Sequence, residues 1–100
     1  MPLDDWTWDE RKNARNVQIH GLSFETAVLA FADPMAQTVA DPCEAEERWR
    51  TFGQLRKILI LVVHTDPIHE QGRLVTPGRV ISARKATPPE RRWFEEHLYD

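Results

Sequence analysis

The sequence predicts a single α+β domain over residues 1–100: an antiparallel β-sheet with two helices before it and one after it. Three observations carry this prediction. Apolar residues recur at helical spacing at Phe24, Ala27, Val28 and Phe31. Residues 57–65 contain an unbroken apolar stretch, which is typical of a central strand covered on both faces. Residues 87–90 form a capping box with proline, which opens a last helix. Segregated helices and strands indicate an α+β arrangement.

The first elements are a short strand and a polar helix. Residues 3–8 alternate loosely between apolar and polar types, which indicates a strand. Asp9 is a good N-cap for a helix that ends at His20. Most of this helix is polar, so it is expected to lie on the surface with Ala14 and Val17 as its core contacts.

The second helix begins at Ser23 and ends at Asp33, because a residue before proline is pushed out of the helical region. Two segments with prolines are predicted as loops, residues 34–46 and 66–78. The main strands are predicted at residues 48–53, 57–65 and 79–86, with a turn at Gly53-Gln54 after the first of these. The last helix is expected to reach about Tyr99.

Charge is distributed unevenly along the chain. The net charge is −3, yet residues 1–47 carry −7, residues 48–92 carry +7 and residues 93–100 carry −3. Such asymmetry favours an anionic partner for the basic segment more than the total charge does. Neutralisation of one half by the other within the fold is the alternative.

The amino-acid composition limits which covalent links and metal sites the chain can form and indicates its compartment. A single cysteine, Cys43, excludes an intramolecular disulfide and a cysteine-based zinc site. The acidic start has no basic and apolar parts of a secretion signal, and the longest apolar run is too short to span a bilayer. The cytoplasm is therefore the expected compartment, with no membrane contact.

Five short motifs occur in a fixed order along the chain. They are W-D-x-x-K at residues 8–12, H-G-x-S-F-E at 20–25, D-P at 33–34, V-V-H-T at 62–65 and I-S-A-R-K-A at 81–86. This ordered set resembles the BrnT family, the toxin halves of type II toxin–antitoxin pairs, over about residues 6–94. Two departures are Ile19, where the family often has lysine, and the longer loop at residues 66–78.

The resemblance implies properties that composition does not. It implies a RelE-like fold and RNA cleavage that uses neither a metal nor another cofactor. It also implies a BrnA-like antitoxin with a ribbon-helix-helix DNA-binding part, in a hetero-oligomeric complex that represses its own operon.

Metal-free RNA cleavage needs charge stabilisation on the phosphoryl oxygens, for which the arginine fork is suited. Arg84 is the first candidate, because it shares a strand face with Ser82 and stands between alanines. A salt bridge to Glu46, Glu47 or the last helix is the alternative for Arg84. Arg48, which opens its strand beside Glu47, is the second candidate, and a plain surface charge is the alternative for it. Arg79 falls on the opposite face by strict alternation, so it joins the same site only if a bulge re-aims it.

His64 is the candidate general acid/base, because the ordinary pKa of a histidine side chain suits proton transfer near neutral pH. A half-buried structural residue is the alternative for a histidine at the end of an apolar strand. The predicted RNA-binding residues are Arg79, Ser82, Lys85, Arg91 and Arg92. The four histidines show no metal-ligand spacing, so no metal site is expected. The tryptophans can stack on RNA bases. Core packing is the alternative for Trp8 and Trp93, and packing in the core or in a groove of a partner is the alternative for Trp49.

Two functions remain open at this point. The first is an endoribonuclease toxin that inhibits growth by cutting RNA. The second is a catalytically inactive binding module with the same fold, which acts as antitoxin partner and transcriptional corepressor. The second function stays open because the sequence alone does not identify a general base for RNA cleavage.

Overall fold

A computed structural model describes residues 3–98 as an α+β fold built on a mixed five-stranded sheet in the order β1-β7-β4-β3-β2. The strands are β1 Trp6–Thr7, β2 Gln37–Asp41, β3 Arg48–Leu55, β4 Ile58–His64, β5 Ile68–Glu70, β6 Arg73–Thr76 and β7 Gly78–Lys85. The helices are α1 Glu10–His20, α2 Phe24–Ala27 and α3 Pro88–Glu96, with 3₁₀ turns at Leu3–Asp5 and Val28–Ala32. Strands β5 and β6 form a separate hairpin. No helix in this range is long and apolar enough to cross a membrane.

Strand β4 occupies the centre of the sheet and is covered on both faces, as its apolar run predicts. The face toward α1 and α2, named the α1 face, carries Ile60 and Val62 of β4. The opposite face, named the α3 face, carries Leu59 and Leu61. Each face supports its own apolar core, so the chain is a sheet between two unequal layers of helix.

Helix α1 is fixed to the sheet by amides rather than by apolar side chains. Asn16 donates to the carbonyl oxygens of Leu22 and Ala83, at 2.8 and 2.7 Å, and Asn13 accepts from the Phe24 backbone N–H at 2.8 Å. Both asparagines are buried, whereas Val17 is 44% exposed. The prediction that Ala14 and Val17 make the core contacts is therefore wrong, because this helix buries its polar face.

The second core joins α3 to the other side of the sheet. Phe94 is 1% exposed and packs in a cluster with Phe52, Leu59 and Leu61. The capping box is present, since Thr87 accepts from the Glu90 backbone N–H and Glu90 accepts from that of Thr87. This helix ends at Glu96, and Tyr99, where its end is predicted, lies outside the described residues.

Several predictions on the sheet need correction. The sheet is not wholly antiparallel, because β1 pairs with β7 in parallel. The predicted loops contain strand β2 at Gln37–Asp41 and the β5–β6 hairpin, whose backbone groups pair although prolines lie close to them in the sequence. Strand β3 continues through Gly53-Gln54. A Cβ on Gly53 would lie 2.2 Å from the Ala30 carbonyl oxygen, so this glycine permits close packing rather than a turn.

Candidate functional site

A register shift in β7 brings Arg79 onto the same sheet face as Arg84. Ser82 pairs with Val63, but the next pair joins Val80 to His64, so Ile81 is an extra residue in β7. Such a bulge reverses the alternation on one side of it. Arg79 therefore shares the α3 face with Ser82 and Arg84, which strict alternation excludes.

Strand β3 adds two more arginines to this face. Arg50 pairs with Val63 and Phe52 pairs with Leu61, so residues 48, 50 and 52 share the face of Val63 and Leu61. The α3 face thus carries Arg48, Arg50, Arg79 and Arg84, and these four define the arginine face. Their side chains are between 29% and 42% exposed.

Carboxylates hold all four guanidinium groups in place. Glu46 Oε1 accepts from Arg48 Nε at 2.8 Å and from Arg79 Nη2 at 2.5 Å, which joins two strands that are not neighbours. The other pairs are Arg50 Nε with Asp41 at 2.6 Å, and Arg84 with Glu90 through two hydrogen bonds of 2.7 and 3.1 Å. The last helix is thus the partner of Arg84 among the alternatives that the sequence leaves open.

These contacts fix the protonation states on the arginine face. The hydrogen bonds from Arg84 lower the pKa of Glu90 to about 2, and the hydrogen bond from Arg48 lowers the pKa of Glu46. In return, the hydrogen bonds to these carboxylates raise the pKa of Arg84 and of Arg48. The carboxylates are therefore ionised near neutral pH and the arginines stay charged.

The other predicted RNA-binding residues lie in different places. Ser82 is half-buried on the α3 face, beside the arginine face. Lys85 pairs with Ile60 and so lies on the α1 face, where it is exposed. Arg91 and Arg92 are exposed on α3. The structure thus places Arg48, Arg79, Ser82 and Arg84 on one face of the sheet, joins Arg48 and Arg79 through Glu46, and places Lys85 on the other side of the sheet.

His64 also lies on the α1 face, away from the arginine face. It is 3% exposed, and its ring packs edge-to-face against the rings of Trp6 and Phe31, with centroid distances of 5.1 and 4.9 Å. Its Nδ1 lies 3.1 Å from the Thr65 carbonyl oxygen and its Nε2 lies 2.7 Å from the Thr51 hydroxyl. Because a carbonyl oxygen only accepts, Nδ1 carries the proton and Nε2 accepts in the neutral ring.

Burial lowers the pKa of His64 below its ordinary 6.5, so the imidazole is neutral at pH 7. Asp66, 3.5 Å from Nδ1, opposes this effect only in part. Above pH 6.5 the folded and unfolded chains both hold a neutral His64. Below it, the unfolded chain binds a proton that the fold rejects, so stability falls as pH falls, by up to about 1.4 kcal/mol per pH unit.

We therefore expect His64→Gln to flatten the loss of stability between pH 7 and pH 5. The measurement is the free energy of unfolding by urea at several pH values, with His20→Gln at the exposed end of α1 as the matched control. Titrating groups other than these two histidines are common to both variants. Parallel curves for wild type and His64→Gln would contradict the burial argument.

Residues 3–98 contain no group of three or more histidine, cysteine or acidic side chains that could hold a metal ion.

Comparison with known proteins identifies the family. A family model described as the ribonuclease toxin BrnT of type II toxin–antitoxin systems matches residues 8–90. No curated protein matches the chain. The matched range includes all four arginines of the arginine face and both carboxylates that hold Arg84, Arg48 and Arg79.

Proposed function

The chain belongs to the BrnT family of ribonuclease toxins of type II toxin–antitoxin systems, and from this premise we propose that it cleaves RNA on the arginine face. The family match carries the proposal. The position of Arg48, Arg50, Arg79 and Arg84 on one face of the sheet supports the location, because arginine binds phosphate oxygens through a fixed fork of donors.

The reaction proposed is attack of the 2′-hydroxyl oxygen on the adjacent phosphorus. A 2′-oxygen–phosphorus bond forms and the 5′-oxygen–phosphorus bond breaks, which leaves a 2′,3′-cyclic phosphate and a 5′-hydroxyl. The 2′-hydroxyl loses its proton and the leaving oxygen gains one. Preorganised cations that meet the charge of the phosphoryl oxygens in the transition state are the largest contribution such a surface can make.

Arg48 and Arg79 are best placed for this role. Glu46 holds one nitrogen of each, Nε of Arg48 and Nη2 of Arg79, so their remaining donors make no hydrogen bond with residues 3–98. Glu46 thus acts as a positioning residue that brings two guanidinium groups together. Glu46 and Glu90 are unsuited to accept the 2′-hydroxyl proton, since the arginines lower the pKa of both carboxyl groups, that of Glu90 to about 2, and a general base works best with a pKa near the operating pH.

The remaining predicted residues have weaker support. Arg84 belongs to the arginine face and Ser82 lies beside it on the α3 face, and both are proposed to contact the RNA backbone. Arg91 and Arg92 are proposed to steer the RNA through charge. Lys85 is proposed to contribute only to long-range attraction, because it lies on the α1 face. A catalytic role for His64 stays a prediction, and its burial and satisfied ring nitrogens favour a structural role.

We further infer that the fold is RelE-like, that cleavage needs no metal or other cofactor, and that the antitoxin is BrnA-like with a ribbon-helix-helix part. These inferences rest on the motifs shared with the family. Toxin–antitoxin pairing itself implies an RNA substrate, a protein partner and action in the cytoplasm.

The test is cleavage of labelled RNA by the purified chain and by Arg84→Ala. We expect Arg84→Ala to lower the cleavage rate by about 10-fold, the loss of one charge-assisted contact worth ~1.5 kcal/mol. Arg73→Ala, an exposed arginine on the hairpin, is the matched control and is expected to leave the rate unchanged. Equal rates for Arg84→Ala and wild type would remove Arg84 from the reaction.

A second candidate is a catalytically inactive binding module that serves as antitoxin partner and transcriptional corepressor. One observation favours it: each arginine of the arginine face already has a carboxylate partner. Expression of the chain alone separates the two functions. Growth arrest that a co-expressed antitoxin relieves supports the ribonuclease, and normal growth with soluble protein supports the binding module.

A further inference from the structure

A cavity of about 320 Å³ opens beside the arginine face at the ends of strands β3, β4 and β7. It is lined by Glu46, Glu47, Trp49, Thr65, Asp66, Ile68, Thr76 and Arg79. Arg79 belongs to both places, because it lines the cavity and shares Glu46 with Arg48. A group held in the cavity would therefore lie next to the donors proposed to bind phosphate.

The ring of Trp49 lines this cavity and takes no part in the aromatic packing of the described part of the fold. Trp6, Trp8 and Trp93 each pack against another aromatic ring. Trp49 pairs with His64 and so belongs to the α1 face of β3, and it lines the cavity at the end of the sheet together with Arg79 of the α3 face. Its side chain is half-buried and contacts no other ring among residues 3–98. A base can stack on such a ring, which contributes roughly 1–3 kcal/mol.

Glu47 supplies the hydrogen-bonding group. Its neighbour Glu46 is committed to two arginines, whereas Glu47 is exposed and makes no hydrogen bond or ion pair within the described part of the chain. An ionised carboxylate only accepts hydrogen bonds, through two oxygens side by side. Guanine presents two adjacent donors on its Watson–Crick edge, N1–H and the N2 amine. Adenine, cytosine and uracil each present one donor there, beside an acceptor that a carboxylate repels.

We propose that this cavity is a nucleobase pocket that selects guanine next to the cleaved bond, with Trp49 as the stacking surface and Glu47 as the reading group. The proposal rests on the proposed RNA cleavage and adds a base preference to it. Arg79 links the two sites, because it borders the base pocket and binds the backbone on the arginine face. Guanine in the pocket would thereby set which phosphate reaches Arg48 and Arg79.

The test uses three oligoribonucleotides that have one guanosine, adenosine or inosine within uridines. We expect wild type to cut beside guanosine at least about 10-fold faster than beside adenosine, since a site built for hydrogen bonds rejects partners that leave it unpaired. Inosine, which keeps N1–H but has no N2 amine, should fall between them. Glu47→Gln should bring the guanosine and adenosine rates within about 3-fold of each other.

Two variants check the assignment of roles. Glu44→Gln makes the same charge change on the same acidic segment but outside the pocket, and is expected to keep the guanosine preference. Trp49→Ala should slow all three substrates by about 5- to 100-fold with a smaller change in the base preference, because stacking is tolerant of base identity. Circular dichroism establishes that each variant is folded.

Binding of the same oligonucleotides with 2′-deoxyribose separates this proposal from the proposed function. Tighter binding of the deoxyguanosine version by wild type than by Glu47→Gln supports the pocket even in a chain that cuts no RNA. Cleavage without a guanosine preference, or a preference that Glu47→Gln retains, would overturn the pocket and leave the ribonuclease proposal standing.

Discussion

Replacement of Arg79 with alanine is expected to lower the rate of RNA cleavage by about 10²- to 10³-fold, which is the usual effect of removing one preorganised donor to a developing oxyanion. We expect this large loss of rate because the bulge at Ile81 places Arg79 on the α3 face and Glu46 holds it beside Arg48. Its loss removes one cation of the pair and leaves Glu46 with a single partner. The measurement is the single-turnover cleavage rate of a labelled RNA.

The controls for this prediction separate charge from geometry. Arg79→Lys keeps the positive charge but has no bidentate fork, so it should recover only part of the lost rate. Arg73→Ala removes an exposed arginine from the hairpin and should cleave as wild type does. A rate for Arg79→Ala within about 3-fold of wild type would exclude Arg79 from the transition state.

The largest effect on stability is expected for Phe94→Ala, which should lower the free energy of unfolding by about 3–5 kcal/mol. Phe94 is 1% exposed and joins α3 to Phe52, Leu59 and Leu61, so truncation leaves a cavity between helix and sheet. Glu90 is on the same helix, and looser docking of α3 therefore also weakens its hold on Arg84. Chemical denaturation at pH 7 measures the loss.

Glu95→Ala is the matched control for this stability prediction, because Glu95 is exposed on the same helix. It is expected to change the free energy of unfolding by less than about 0.5 kcal/mol. A decrease in the free energy of unfolding of less than about 1 kcal/mol for Phe94→Ala would contradict the role of the second core in holding α3 on the sheet.

The fold was predictable where local signals and burial agree. The apolar run of β4 and the capping box at Thr87 both lead to the observed elements. Strand β2 and the β5–β6 hairpin could not be predicted, because their short segments of mixed polarity lie beside prolines and become strands only through pairing with a neighbour. The anchoring of α1 by Asn16 was also hidden, since its hydrogen bond to Ala83 spans 67 residues of sequence.

The arginine face was predictable in part. Alternation placed Ser82 and Arg84 together, and a bulge was the stated condition for adding Arg79. The position of that bulge depends on pairing with β4 and leaves no mark in the residues of β7. The separation of His64 from the arginines follows from the register of β4, which puts His64 on the face of Ile60 and Val62. The bridging role of Glu46 needed the three-dimensional contacts, because it joins segments 33 residues apart.

We propose that the arginine face cleaves RNA without a metal. This is tested by incubating labelled RNA, in excess EDTA, with purified wild type and with a folded Arg79→Ala/Arg84→Ala double variant. We expect wild type to produce fragments with 2′,3′-cyclic phosphate ends and the double variant to produce none above background. Equal cleavage by both proteins, or no cleavage by wild type in EDTA, would contradict it.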